Sequence, residues 1–307
     1  MEVVPAILCY HRIGDTTEMW PYFERGTAVR VSTFERQLAD ITRGADVVGR
    51  REVLEVISGA RVLRRPSVWL TFDDAYREVV TTAAPLLQDR GCAGTVFVTT
   101  ATLSLTPKAL PADRWYGVLL SATRRAGVAD LGMGELEFDL ERPQGRARLV
   151  HGPERKAYLR AAAPEQEAIL AALARAVCAE VDLSAPSYLT TSDLRDLVAR
   201  GWCVGSHGAT HAPFDSLADD MLENEARASR DLLEDTVGVA IDSLALPDGR
   251  RPRDMRAVHR AGYRCVLGLG NAPATRGEAG ILPRFIVPDD PDWVSTTLLP
   301  VLETHGH

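Results

Sequence analysis

The sequence predicts an α/β fold, a distorted and incomplete (β/α)7 barrel. Three observations carry that expectation. Seven short runs are continuously apolar rather than alternating, as strands buried on both faces must be. Stretches with helical patterning and helix-start signals lie between most of them. Residues able to bind metal or move protons gather just beyond the C-terminal ends of several runs, where parallel α/β folds place their sites. A doubly wound open sheet is the alternative. No G-x-G-x-x-G and no P-loop follows any run, which weakens a nucleotide-binding reading.

The elements follow in order. The runs are Val3–Tyr10, Ser67–Phe72, Thr95–Thr100, Trp202–Ser206, Asp242–Leu246, Tyr263–Leu269 and Leu282–Val287. Ser32-Thr33-Phe34-Glu35 reads as a capping box opening a helix to about Arg43. Arg51–Ser58 is a short helix, and Glu78–Arg90 another that stops at Gly91. Thr190-Thr191-Ser192-Asp193 opens a helix ending at Gly201. Ser216-Leu217-Ala218-Asp219 reads as a further box before a long helix to about Thr236. Arg253–Ala261 and Trp293–Glu303 complete the set.

Residues 101–189 break this rhythm. They hold a polar, Gly- and Arg-rich patch at Gly132–Pro153 and an Ala/Glu/Arg-rich helix pair over Glu154–Val181. They are expected to be an insertion between the third and fourth strands of a single domain over 1–307. Such an insertion forms either an active-site wall or a helical subdomain. There is no internal repeat, and Arg61–Pro66 reads as a solvated basic turn.

Composition narrows the function classes. The chain has 307 residues and a net charge of −7 with no basic block. That argues against nucleic acid and anionic membrane surfaces as partners. No stretch approaches the ~20 apolar residues of a membrane helix. The five cysteines form no C-x-x-C pair and are expected to be reduced, mostly buried thiols. Met1–Pro5 lacks a basic leader region and a small-residue cleavage site, so a cytoplasmic protein is expected.

The strand ends carry the chemistry. His11 follows the first run, Asp73 and Asp74 the second, His207 and His211 the fourth, and Pro247-Asp248-Gly249 the fifth. Arg284 lies within the seventh, with Asp289 and Asp290 beyond it. Alone, an Asp-Asp pair is most simply a helix cap, His11 a packed histidine, Pro-Asp-Gly a turn and Arg284 a structural ion pair. The aromatics Trp69, Phe97, Trp115 and Tyr116 read as core or wall. Together, two adjacent carboxylates and two imidazoles four residues apart suffice to hold a divalent metal and leave one carboxylate free as a base.

These motifs resemble those of the NodB-type polysaccharide deacetylases, carbohydrate esterase family four. Thr71-Phe72-Asp73-Asp74-Ala75 is similar to their Thr-Phe-Asp-Asp-Gly, with Ala in place of Gly. His207–His211 is similar to their His-x-x-x-His forms, with Gly208 at the second position. Tyr10-His11 resembles the branch with a Tyr-His pair ending the first strand. Leu246-Pro247-Asp248-Gly249 followed by Ala261-Gly262-Tyr263 looks like a third motif. The resemblance covers residues 1–100 and 190–290 and leaves the insertion outside.

The resemblance implies a distorted NodB-type barrel and metal-assisted amide hydrolysis. It implies that Asp74, His207 and His211 hold the metal, zinc before other divalent transition metals, and that Asp73 is the general base. Asp248 and Tyr76 become candidates for substrate or oxyanion contacts. The leaving-group acid is His11, ahead of His305 and His307 in the C-terminal tail. The family's third motif carries an arginine that pairs with the base. None stands at Leu244–Pro247, and Arg284 is the proposed substitute. Asp248 stands where an aromatic often packs on the sugar, which argues against a chitin-like polymer. The expected enzyme is an N-deacetylase of an amino sugar, with a small molecule, sugar nucleotide or glycosylated metabolite favoured over wall polymer. Deformylation, or hydrolysis of a cyclic amide or ureide, is the alternative chemistry. A non-catalytic binding protein is the alternative class.

Overall fold

The computed structural model describes residues 5–104, 108–179, 187–270, 272–273 and 280–304. The chain divides into two compact units. One comprises Met1–Asp15, Gly26–Pro107 and Tyr188–His307; the other comprises Thr16–Arg25 and Lys108–Ser187.

The first unit is built on a parallel sheet. Its order is Ile281–Leu282, Cys265–Leu267, Ser243–Ala245, Cys203–Ser206, Thr95–Val98, Ser67–Phe72, Ala6–Tyr10 and Phe285–Ile286. The short strand Asp46–Val47 pairs with the start of Ser67–Phe72. The two edge strands are neighbours in the chain, separated only by Pro283 and Arg284. The step from Leu282 to Phe285 can span at most about 11 Å. The sheet therefore curls until its edges approach, giving a distorted, incomplete barrel. The predicted seventh strand Leu282–Val287 is thus two strands on opposite edges. Gly270 N donates to Arg284 O on one edge, and Val287 N donates to Cys9 O on the other.

Alternation along each strand feeds two cores, because successive side chains point to opposite faces. Ile7, Trp69, Phe97, Ala245, Leu267 and Leu282 fill the barrel interior, with Val53 of the Arg50–Ile57 helix beneath them. Leu8, Leu70, Val96, Leu244 and Val266 face outward. There they pack with Phe34, Leu38 and Ile41 of the Val31–Gly44 helix, Leu194 and Leu197 of Thr191–Ala199, and Leu222 and Leu233 of Asp219–Val237. This double burial is the cause of the continuous apolar runs. Gly205 makes room inside the barrel: a Cβ there would stand 2.4 Å from the Phe97 ring.

Helix starts differ from the sequence pattern in two places. The first long helix begins at Val31 with Arg30 as its N-cap, so Ser32 is already helical. Its early donors are met from a distance, Val31 N by Asp15 Oδ1 and Arg30 N by Asp289 Oδ1. Ser216 closes a short turn by donating to Pro213 O, and the following helix starts at Asp219. At Thr190 the capping box forms: Thr190 Oγ1 accepts from Asp193 N, and Asp193 Oδ2 accepts from Thr190 N. Only Cys9 and Cys265 are buried among the five free cysteines; Cys178 and Cys203 are exposed, contrary to the mostly buried expectation.

The second unit joins Lys108–Ser187 to the distant segment Thr16–Arg25, a partnership with no sequence signature. Its helices are Trp20–Arg25, Pro111–Leu120, Pro143–His151, Pro153–Arg160 and Ala163–Val177. Proline in the first turn starts the last four, where its missing N–H costs nothing. An antiparallel hairpin, Ala126–Asp130 with Glu135–Asp139, occupies part of the stretch read as a polar patch. Trp115 anchors this core: its Nε1 donates to Leu149 O, and its ring lies 5.3 Å from Tyr158.

Candidate metal centre and active site

The site lies at the C-terminal ends of the parallel strands. Asp73 N donates to Tyr10 O, and His207 N donates to Val98 O, so each motif starts as the last rung of its ladder. The backbone then turns sharply. Asp74 and Ala75 have φ of 71° and 57°, and His211 has φ of 62°. These are left-handed conformations that an L-residue adopts only at a cost of about 1–2 kcal/mol each. Such strain persists where surrounding contacts over-determine it. Gly208, at φ 82°, takes the matching turn after His207 without that cost.

These turns bring Asp74, His207 and His211 together, with one ligand atom from each lying within 4.8 Å of the others. His207 Nε2 is 3.4 Å and His211 Nε2 3.3 Å from Asp74 Oδ1. Neither contact is aligned as a hydrogen bond, and Asp74 Oδ1 is a buried carboxylate oxygen with no hydrogen-bond donor. A buried anionic oxygen there is costly unless a cation answers it, a role that protonated His211 fills without a metal and that a divalent ion would take over. His207 Nδ1 lies 2.8 Å from Ala245 O, which can only accept; Nδ1 therefore carries the hydrogen and Nε2 is bare. Burial pushes the His207 pKa down, against the pull of Asp73, so the ring stays neutral. Burial alone would lower that of His211 too, but the Asp74 carboxylate outweighs it and holds His211 at about 9. One carboxylate and two imidazoles are a donor set suited to a divalent transition metal. The residues fit such an ion.

Asp73, 2% exposed, lies beside this trio, its Oδ2 3.8 Å from His207 Nε2. Arg284, the largest charged side chain wholly buried, grips it from the break between the edge strands. Arg284 Nη1 donates to Asp73 Oδ1 and Nη2 to Oδ2, both at 2.7 Å. Its Nε donates to Gly268 O, Nη1 reaches Thr71 Oγ1, and the guanidinium lies 5.5 Å above the Phe97 ring. Burial would raise the Asp73 pKa; the charge of Arg284, with the hydrogen bonds it donates, outweighs it and holds the carboxyl far below the usual range.

His11 is half-buried at the end of the first strand, near enough to Asp73 and Asp74 to favour their ionised forms. Asp248 is exposed, at φ 53°, and adds to the negative potential at His211. Tyr76 is buried, its ring stacked on Tyr188 at 5.7 Å and covered by the Arg12 guanidinium. Asp289 pairs with Arg30, and Asp290 Oδ1 accepts from Asp292 N, so both stay with the Val31–Gly44 region and the C-terminal turn. His305 and His307 lie outside the described residues.

Sequence reasoning missed the supports. Glu225 accepts from Thr210 N and Oγ1 and pins the loop between the two histidines. Ser206 Oγ accepts from Gly208 N and bonds Ser229. Cys9 Sγ donates to Asp73 Oδ2. Only Cys9 had a visible signal, its place two residues before His11 on the first strand.

A family model for polysaccharide deacetylase matches residues 60–117 and 168–266, just over half of the chain. The chain belongs to the polysaccharide deacetylase family. With the family comes the enzyme class, a deacetylase that hydrolyses a carbon–nitrogen bond. Solved structures agree on the fold. The deacetylase PplD of Streptococcus pyogenes, in complex with acetate, is 17% identical with a TM-score of 0.64, covering 98% of this chain and 99% of that one. IcaB from Ammonifex degensii is also 17% identical at a TM-score of 0.64, covering 98% and 97%. A de-N-acetylase from Aggregatibacter actinomycetemcomitans is 13% identical at 0.58, covering 93% and 95%. A search of curated proteins returned no match. This deacetylase departs from the family pattern at Ala75, which holds a left-handed φ where the family places glycine.

Proposed function

We propose that this protein removes the acetyl group from an N-acetylated amino sugar in a metal-dependent hydrolysis. The observation that carries the reading is the buried Asp74 oxygen facing two imidazole nitrogens, beside a second carboxylate held ionised by Arg284. In this reading Asp74, His207 and His211 hold the ion, with zinc first among the divalent metals. Asp73 takes the proton from the attacking water. A carboxylate held so acidic is a weak base, so it needs the acidified water and polarised amide carbonyl that a bound divalent metal supplies. Arg284 keeps Asp73 ionised and aims it. His11 gives a proton to the departing nitrogen.

Asp248, exposed beside His211, is the substrate-side group we assign to a sugar hydroxyl. An acidic side chain where the family often stacks an aromatic favours a small or soluble glycoside over a polymer. A cytoplasmic setting belongs to the same proposal.

Product analysis tests the reading. The zinc-loaded protein is incubated with N-acetylated and N-formylated amino sugars, as monomers, nucleotide conjugates and oligomers. Acetate release, fastest from monomers or conjugates and absent with Asp73→Asn, is the expected result. Formate as the main product would move the assignment to deformylation, and oligomers as the fastest substrates would overturn the small-substrate reading.

A further inference from the structure

The buried thiol of Cys9 lies between the two groups assigned to proton transfer. It is wholly buried, with Sγ 3.4 Å from Asp73 Oδ2 and 3.9 Å from His11 Nδ1. Its strand points it inward, one step above Ile7 in the barrel core.

We propose that Cys9 is a positioning residue that sets the tautomer of His11, holding one hydrogen on Nδ1 so that Nε2 is the nitrogen that takes up a second proton from solvent and, from the imidazolium, gives it to the departing nitrogen. The inference rests on the reading of His11 as the leaving-group acid. Asp73 is ionised and can only accept, since both of its oxygens take N–H bonds from Arg284. The single thiol hydrogen therefore points at Asp73 Oδ2. Burial pushes the Cys9 pKa well up, so the hydrogen stays on sulfur. What sulfur then shows His11 is lone pairs. A bare Nδ1 would face them with a lone pair of its own; an Nδ1–H is attracted. The Nδ1–H form is thus favoured, and in the neutral ring Nε2 is the bare nitrogen. The chain runs His11 Nδ1–H to Cys9 Sγ–H to Asp73 Oδ2. It fixes the ring of the acid and one oxygen of the base with a single side chain.

Nitrogen NMR of the imidazole rings decides this without reference to turnover. The full chain, zinc-loaded and labelled at histidine, is recorded at a pH where His11 is neutral, and its signals are assigned by their loss in His11→Gln. Wild type should show a protonated Nδ1 and a bare Nε2. Cys9→Ala should shift the ring toward the Nε2–H form and lower kcat several-fold with KM little changed. Cys9→Ser keeps one hydrogen and lone pairs at similar size, so it should retain the Nδ1–H form; it also stands in if the alanine variant does not fold. An Nε2–H ring in wild type, or an unshifted ring in folded Cys9→Ala, overturns the proposal. Full activity in His11→Gln would instead overturn the role of His11 as acid, whatever the tautomer.

Discussion

At the scale of single residues, the Asp73–Arg284 pair does two jobs. It keeps buried the ionised carboxylate that we propose as the base, and it joins the edges of the sheet, since Arg284 sits in the break between Ile281–Leu282 and Phe285–Ile286. Both side chains are essentially without solvent. Removing one charge strands the other, which typically costs about 3–5 kcal/mol. Asp73→Asn should therefore lose stability by roughly that much as well as activity. The pH dependence follows from direction alone. The folded-state pKa of Asp73 lies below its unfolded value of about 3.9. Its stabilisation is therefore complete above that value and drains away as pH falls toward the folded-state pKa. Denaturant midpoints of wild type and Asp73→Asn should differ by a constant amount from pH 5 to 8, roughly, and converge in more acid solution. A gap that widens with acid would contradict the assignment.

At the scale of elements, the Cys203–Ser206 strand carries both histidines and has little freedom. Its Gly205 packs under Phe97, with Ser243 Oγ 2.9 Å from where a Cβ would stand. Ser206 holds Gly208, and Glu225 holds Thr210. Gly205→Ala should destabilise the fold by about 1–3 kcal/mol through overpacking. It should also weaken metal binding, because His207 is two residues on. Calorimetry with metal titration measures both; unchanged stability would mean that Phe97 yields freely.

Elements were legible in the sequence where their cause is local. Runs buried on both faces read as strands, and the Thr190–Asp193 box read as a helix start. The failures have distant causes. Arg30 and Val31 start their helix on acceptors from Asp289 and Asp15, so a nearby Ser32 misleads. The split of Leu282–Val287 depends on the curl of the whole sheet, which no window of sequence contains.

At the scale of the molecule, function rests on the barrel unit. Asp73 and Asp74 follow one strand, Ser67–Phe72, and His207 and His211 follow another, Cys203–Ser206; Cys9 and His11 come from the neighbouring Ala6–Tyr10 strand and its end, and Arg284 from the seam. The candidate metal ligands were readable because adjacent carboxylates and an i, i+4 histidine pair are a dense local signal. Their supports, the Ala245 carbonyl, Glu225 and the Cys9 thiol, were not, because each reaches the site only through folding. Among the described residues, no helix is long and apolar enough to cross a membrane. The second unit draws on Thr16–Arg25 as well as Lys108–Ser187, a pairing that the sequence reading of residues 101–189 did not contain.

The central claim is that one divalent ion at Asp74, His207 and His211 works with Asp73 as base. It is tested most directly by titrating zinc into metal-free protein while acetate release from an N-acetylated amino sugar is followed. Wild type should gain activity linearly and level off near one equivalent, and Asp73→Asn should take up the same equivalent with no acetate released. Activity that ignores added metal, or that survives in metal-loaded Asp73→Asn, would contradict the account.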